Sequence, residues 1–203
     1  MNYLAHFYLC PNNEDILLGG ILGDFVKGPI KDDGTLLQRS IILHRKLDTF
    51  TDTNPIIKKS KSLININQRR YAGVIVDIFY DHFLSTNWEH FHTKPLDIYA
   101  RNIYRILQKR KNELPNQLQL IVPRMSAEDW LCSYKDPNYL RGVLRKIGQR
   151  FKKSIRLDDA MIDLTSHYNV MEDHFFAFMP LAKKFCDEFS ESHFQGHNDN
   201  SIH

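Results

Sequence analysis

Asp77 and Asp81 stand four residues apart inside Val74-Ile75-Val76-Asp77-Ile78-Phe79-Tyr80-Asp81-His82-Phe83-Leu84, a run that is otherwise almost wholly apolar. Read as a helix, the run puts core-type side chains on nearly every face, which is the pattern of a buried helix. Carboxylates one turn apart share a face, with Cβ atoms about 5–6 Å apart, and repel each other. Each ion taken out of water is strongly disfavoured unless something compensates it. An arginine, a shared proton or a metal ion would serve, and a metal would recruit His82 or a histidine from another helix as a nitrogen ligand. Arg70 is the local cation, but it lies too far before Asp77 to reach more than one acid comfortably.

A second group of the same chemistry lies upstream. A helix over 36–52 places Leu37, Ile41, His44, Asp48 and Asp52 near one stripe, so that His44 and Asp48, and then Asp48 and Asp52, are one turn apart. Two acids in the last turns sit at the negative end of the helix dipole, an arrangement that local electrostatics oppose. A structural ladder of salt bridges is the alternative to a site here, and Arg45 and Lys46 only partly face it. His6 and Asp24 are weaker signals taken singly, because a lone histidine or aspartate is usually a satisfied core residue or a cap.

The elements that must carry these groups are helices. A short helix over 1–10 holds His6. A second, over 14–26, tolerates Gly19, Gly20 and Gly23, which lower its stability and allow close backbone approach. Pro55 ends the third helix, and Asn54 makes an N-cap for a short basic helix over 55–64. The buried helix follows over 68–88. An amphipathic helix over 96–107 comes next, then an irregular or short helical piece between Pro115 and Pro123, and a capped start at Ser126-Ala127-Glu128-Asp129 leading into Trp130. A long closing helix over 157–189 bends near Pro180, and 190–203 reads as a polar, disordered tail. Inward acids and imidazoles on several helices are how metal sites in helical proteins are built. Asp and His together suit a divalent ion such as manganese, iron or zinc.

Composition excludes little and permits this reading. The 203 residues suit one domain, with hydrophobic residues at 42% and charged residues at 25%. A net charge of +3 selects no partner by itself. Cys10, Cys132 and Cys186 form no paired motif, which argues against a disulfide framework and fits a reducing cytosol. No signal peptide or membrane span is evident, and no phosphate loop, nucleotide fingerprint or strand alternation occurs. Between Pro137 and Arg156 the chain carries seven cations and no acid, including Arg141, Arg145 and Arg150. Such a run is either a solvated face or a surface for an acidic partner.

Taken together, Met1-Asn2-Tyr3-Leu4-Ala5-His6, Gly23-Asp24-Phe25-Val26-Lys27-Gly28, His44-Arg45-Lys46-Leu47-Asp48-Thr49-Phe50-Thr51-Asp52 and Val76 to Leu84 resemble the acyl carrier protein phosphodiesterase family. Asp129-Trp130-Leu131 and Phe175-Phe176 before Pro180 extend the likeness over nearly all the chain except the tail. The resemblance implies an all-α, single-domain multi-helix bundle over 1–189, distantly similar to the HD-type metal phosphohydrolases. The doublet here reads Asp81-His82, the reverse of the usual order, which implies a rearranged version of that fold. It implies a cytoplasmic hydrolase that uses manganese to cleave 4'-phosphopantetheine from the serine of holo-acyl carrier protein. His6, Asp24, His44, Asp48, Asp77, Asp81 and His82 would surround the metal, with Asp48 or Asp77 orienting water. Arg45 would serve the phosphate or act as a salt-bridge partner, and Arg141, Arg145 and Arg150 would steer the acidic carrier protein. Neither nucleic acid nor membrane is expected as a partner. Two alternatives remain: a phosphohydrolase for a nucleotide or other small phosphoester, and a non-enzymatic helical adaptor whose buried acids pair with Arg70 and Arg45.

Overall fold

The structure is a computed structural model that describes residues 1–151 and 155–194. Its helices in chain order are α1 (Tyr3–Leu9), α2 (Glu14–Leu22), α3 (Leu36–Thr53), α4 (Pro55–Ser62), α5 (Ala72–Thr86) and α6 (Leu96–Lys109). They continue with α7 (Asn116–Ala127), α8 (Trp130–Ser133), α9 (Pro137–Gly148), α10 (Met161–Ser166) and α11 (Tyr168–His193). Short 3-10 turns at Ile66–Tyr71, Trp88–His90, Lys111–Glu113 and Leu157–Ala160 join some of them, and no strand occurs among the described residues. The fold is the all-α bundle that the sequence predicts.

The apolar run is the central helix. In α5, Ile75, Val76, Ile78, Phe79, Tyr80, Phe83 and Leu84 are all buried, and α1, α4, α9 and α11 pack around them. Phe175 and Phe178 of α11 meet Tyr80 with ring centroids 5.5 and 6.0 Å apart, and Phe175 lies 5.8 Å from Phe83. Each such side chain contributes about 1.5–3 kcal/mol by leaving water. This aromatic block fixes the height and rotation of α5, and with them the directions of Asp77 and Asp81.

Close approach governs the pair α2 and α3. A Cβ on Gly19 would lie 2.5 Å from Ser40 Cβ, and one on Gly23 would lie 2.2 Å from the His44 ring. Only glycine lets the α2 backbone sit against α3 in this way. The contact is used twice, since Ser40 Oγ donates to the Ile16 carbonyl at 2.5 Å and His44 Nδ1 meets the Gly20 carbonyl at 2.7 Å.

Several boundaries differ from the sequence reading. α2 stops at Leu22, with Gly23 as its C-cap, so Asp24 projects from the turn that follows. Asn54 caps α4 as expected, accepting from the Ile56 N–H. The stretch around Pro123 is one continuous helix, because Leu118, Val122 and Met125 form a buried stripe along α7 and Pro123 itself is exposed. Ser126 and Ala127 end that helix, and α8 starts after Asp129, whose left-handed φ of 43° marks the break and whose side chain caps nothing. The closing segment divides at His167 into α10 and α11, with Pro180 accommodated inside α11. α11 runs on to His193 because its end is anchored: Phe189 and Phe194 are buried, and Arg39 donates to the His193 carbonyl at 2.6 Å. Lys152, Lys153 and the expected tail from 195 onward lie outside the described residues.

Candidate metal centre

Three helices and one turn converge at the predicted residues. α1 supplies His6, α3 supplies His44 and Asp48, the turn after α2 supplies Asp24, and α5 supplies Asp77. His6, His44 and Asp48 each offer a ligand atom, and these atoms lie within 4.8 Å of one another, a group that could hold a metal ion. His6 Nε2 lies 3.2 Å from Asp48 Oδ1, and His44 Nε2 lies 3.2 Å from Asp48 Oδ2 and 3.3 Å from Asp24 Oδ1. The two imidazoles stack with centroids 3.9 Å apart.

Hydrogen bonding to the backbone orients one imidazole, while the other has only its 3.2 Å approach to Asp48 among the described residues. His44 Nδ1 donates to the Gly20 carbonyl, so Nε2 is directed at the two carboxylates. Fixing a ligand histidine through its second nitrogen is the usual support for a metal site. His6 is 3% exposed, and among the described residues neither ring nitrogen has a well-aligned hydrogen-bond partner, Nε2 approaching Asp48 Oδ1 off-axis at 3.2 Å. A buried polar group in that condition is rare in folded proteins, and a bound ion is one thing that satisfies it. The donor set of two imidazoles and a carboxylate, with Asp24 beside it, therefore fits a divalent ion.

The charges are arranged to match. Burial pulls His44 down, but hydrogen bonds to Asp24 and Asp48 more than reverse this and raise it to about 9. Burial and the neighbouring His44 hold His6 down at about 4, so it is a neutral nitrogen donor. Burial opposes ionisation of Asp48, yet the contacts with His44 and His6 keep its carboxyl far below the ordinary range. Asp77 moves the other way, its carboxyl raised mainly by burial.

The cation beside Asp77 is one the sequence reasoning missed. The α-amino group of Met1 is buried and lies 3.4 Å from both Asp48 Oδ1 and Asp77 Oδ1, bridging α3 to α5. No local pattern marks it, since it depends on where α1 docks.

Asp81 and His82 are not brought to the cluster, which corrects two of the expected ligands. Asp81 is fully buried and takes the backbone N–H of Leu4 at 2.8 Å and of Ala5 at 3.1 Å. It caps α1 from another helix, where α1's own N-cap residue Asn2 makes no side-chain cap bond. Burial raises its carboxyl to about 7 against those two hydrogen bonds. His82 faces elsewhere, with Nδ1 donating to the Tyr134 carbonyl at 2.8 Å and Nε2 3.1 Å from the Tyr168 hydroxyl. Asp52 leaves the stripe too, being exposed and paired with Lys61 at 2.7 Å. Among the described residues Arg45 pairs with no acid: its guanidinium donates to the carbonyls of Gly28, at 2.6 Å, and Val26, and so braces the turn that carries Asp24. Among the described residues neither Arg45 nor Arg70 neutralises Asp77 or Asp81, the pairing that the adaptor reading requires. Arg141, Arg145 and Arg150 are exposed on or just past α9, and Arg145 is held 3.0 Å from Asp158.

Fold and site thus define an all-helical protein with a candidate His-His-Asp metal centre. A family model described as acyl carrier protein phosphodiesterase matches residues 1–182. The chain belongs to that family. Among similar proteins are the acyl carrier protein phosphodiesterases of Enterobacter sp. (strain 638) and Yersinia enterocolitica, each 30% identical over 182 residues. That of Escherichia coli O6:H1 is 31% identical over 186 residues. In each case the match covers 89% of this chain and 94% of the relative. No solved structure matches the chain.

Proposed function

We propose that this chain hydrolyses the phosphodiester joining 4'-phosphopantetheine to the serine of holo-acyl carrier protein, with manganese at His6, His44 and Asp48. The observation that carries the reading is the buried cluster of His6, His44 and Asp48, whose ligand atoms lie within 4.8 Å of one another, in a chain whose relatives bear that enzyme name. A divalent ion bound there supplies positive charge for phosphoryl oxygens and makes water a better proton donor.

The chain's own residues do the rest. His44 and His6 would hold the ion through neutral ring nitrogens, and the Gly20 carbonyl keeps the His44 ring from rotating. Asp24 and Asp48 complete the negative side of the site. Asp77, whose carboxyl burial raises, is the group matched to accept a proton from the attacking water, while the serine oxygen, leaving on the opposite side of the phosphorus, takes its proton from solvent. Arg45 acts at one remove, by holding the Asp24 turn against α3.

The exposed cations Arg141 and Arg150 would draw an acidic carrier protein to this end of the molecule. No helix among the described residues is long and apolar enough to cross a membrane, in keeping with a cytoplasmic enzyme. The direct test is to incubate the protein with holo-carrier protein and manganese and weigh the products. The carrier should lose the mass of its prosthetic group, and a carrier recovered intact with and without metal would overturn the proposal.

A further inference from the structure

Beside the metal cluster a cleft opens whose walls no part of the proposed chemistry uses. Tyr3 and Trp130 form one side, their rings stacked with centroids 6.5 Å apart, and Tyr139, Val143 and Ile147 form the other. Lys146, Arg150 and Glu128 also line it, the last accepting from the Trp130 indole N–H at 2.9 Å. The floor is held by Asn2, which donates to the Tyr134 hydroxyl at 2.6 Å.

The cleft adjoins the site through α1. Tyr3 and His6 are one turn apart, which puts their Cβ atoms about 5–6 Å from each other on one face. Tyr3 is also within the fields of Asp24 and Arg150; with burial as the larger cause, its hydroxyl is pushed up to about 12. A phosphate at the cluster would therefore have largely apolar, aromatic walls within a few bonds of it.

The volume limits what can enter. The cleft holds about 130 Å³, close to the roughly 150 Å³ of an apolar cavity that accepts benzene. A whole pantetheine arm is too large. Its first segment is not: the carbon bonded to the phosphate oxygen is followed by a quaternary carbon bearing two methyl groups, then by a hydroxyl-bearing carbon and an amide. This branched head is compact and apolar, and it is the only such group tied so closely to the phosphate.

On the reading of the site as a phosphopantetheine hydrolase, we propose that the cleft between Tyr3-Trp130 and Tyr139-Val143-Ile147 binds the dimethyl-branched head of the prosthetic group. The cleft thereby recognises the prosthetic group itself, as distinct from any phosphodiester on an acidic protein, and sets the phosphorus over the cluster.

A promiscuous phosphopantetheinyl transferase can load apo-carrier protein with the natural group or with an analogue lacking the two methyls. The unbranched carrier should show kcat/KM lower by about tenfold or more, the usual effect of removing methyl-sized groups from an apolar pocket. Val143→Phe, which fills the cleft from α9, should bring the ratio of the two substrates toward one. Free 4'-phosphopantetheine should quench the fluorescence of Trp130, and its unbranched analogue should do so less; Trp88, the other tryptophan, is buried and serves as background. This binding readout does not depend on turnover or on a well-folded variant. Equal kcat/KM for both carriers, or equal quenching, would overturn the cleft assignment and leave the hydrolase reading intact. Release from neither carrier would overturn the hydrolase reading, and this proposal with it.

Discussion

The His44 ring lies where the side chain of residue 23 would be: a Cβ on Gly23 would fall 2.2 Å from it. The two residues share the space of one side chain, and this sharing lets His44 reach the Gly20 carbonyl with one nitrogen while presenting the other to Asp24 and Asp48. Gly23→Ala should therefore destabilise the fold by about 1–3 kcal/mol, as overpacking does. It should also lower manganese affinity, because the ring must turn away from the Gly20 carbonyl. Denaturant unfolding and metal titration check the two effects. A variant that folds less stably but binds metal unchanged would show that the ring does not move.

Asp81 separates a cap from a ligand. Asp81→Ala leaves the Leu4 and Ala5 N–H groups buried without acceptors, which should reduce stability by about 2–5 kcal/mol. Asp81→Asn keeps one acceptor and should fall between that and the unaltered protein. Calorimetric titration of the folded Asn variant should give manganese affinity near the unaltered value, whereas His6→Ala and Asp48→Ala should abolish tight binding.

Metal and proton compete for His44. In the metal-free protein its pKa of about 9, against an ordinary 6.5, means that the folded state holds the proton more tightly. The resulting stability is fully present below pH 6.5 and is lost as pH rises from 6.5 through 9. Unfolding free energies of the metal-free protein across this window should fall, and more gently in His44→Gln. Manganese binding near pH 7.5 should release about one proton, visible as a dependence of the binding heat on the buffer's ionisation enthalpy.

The basic face predicts a salt effect. Arg141→Glu with Arg150→Glu should raise KM for the carrier protein severalfold and flatten the fall of kcat/KM with ionic strength, as expected when rim charges steer association. Arg145 is the wrong probe, because its reversal would also set a glutamate against Asp158. Unchanged kinetics in the double variant would remove this face from carrier docking.

Much of the fold is legible in local pattern. Apolar side chains on every face of 74–84 mark α5 as the central helix, the i,i+4 spacing of His44 and Asp48 puts them on one side of α3, and the glycines of α2 announce a close approach. Helix ends are less legible where tertiary contacts override local preference, as where buried Leu118, Val122 and Met125 carry α7 through Pro123, and Phe189 and Phe194 hold α11 together past Ser190.

The sequence by itself therefore determined the all-helical class, the burial of Asp81 and the pairing of His44 with Asp48, because each follows from a repeat within one helix. Only the tertiary structure decided which of the inward groups meet. Adjacent side chains on a helix point about 100° apart, so Asp81 and His82 cannot both face a cluster that Asp77 adjoins; one turn along the axis brings Asp81 level with the start of α1, where two backbone N–H groups engage it. The docking of α1 likewise placed His6 against His44 and the Met1 amine between Asp48 and Asp77, contacts across 38 to 76 residues of chain that no local spacing encodes.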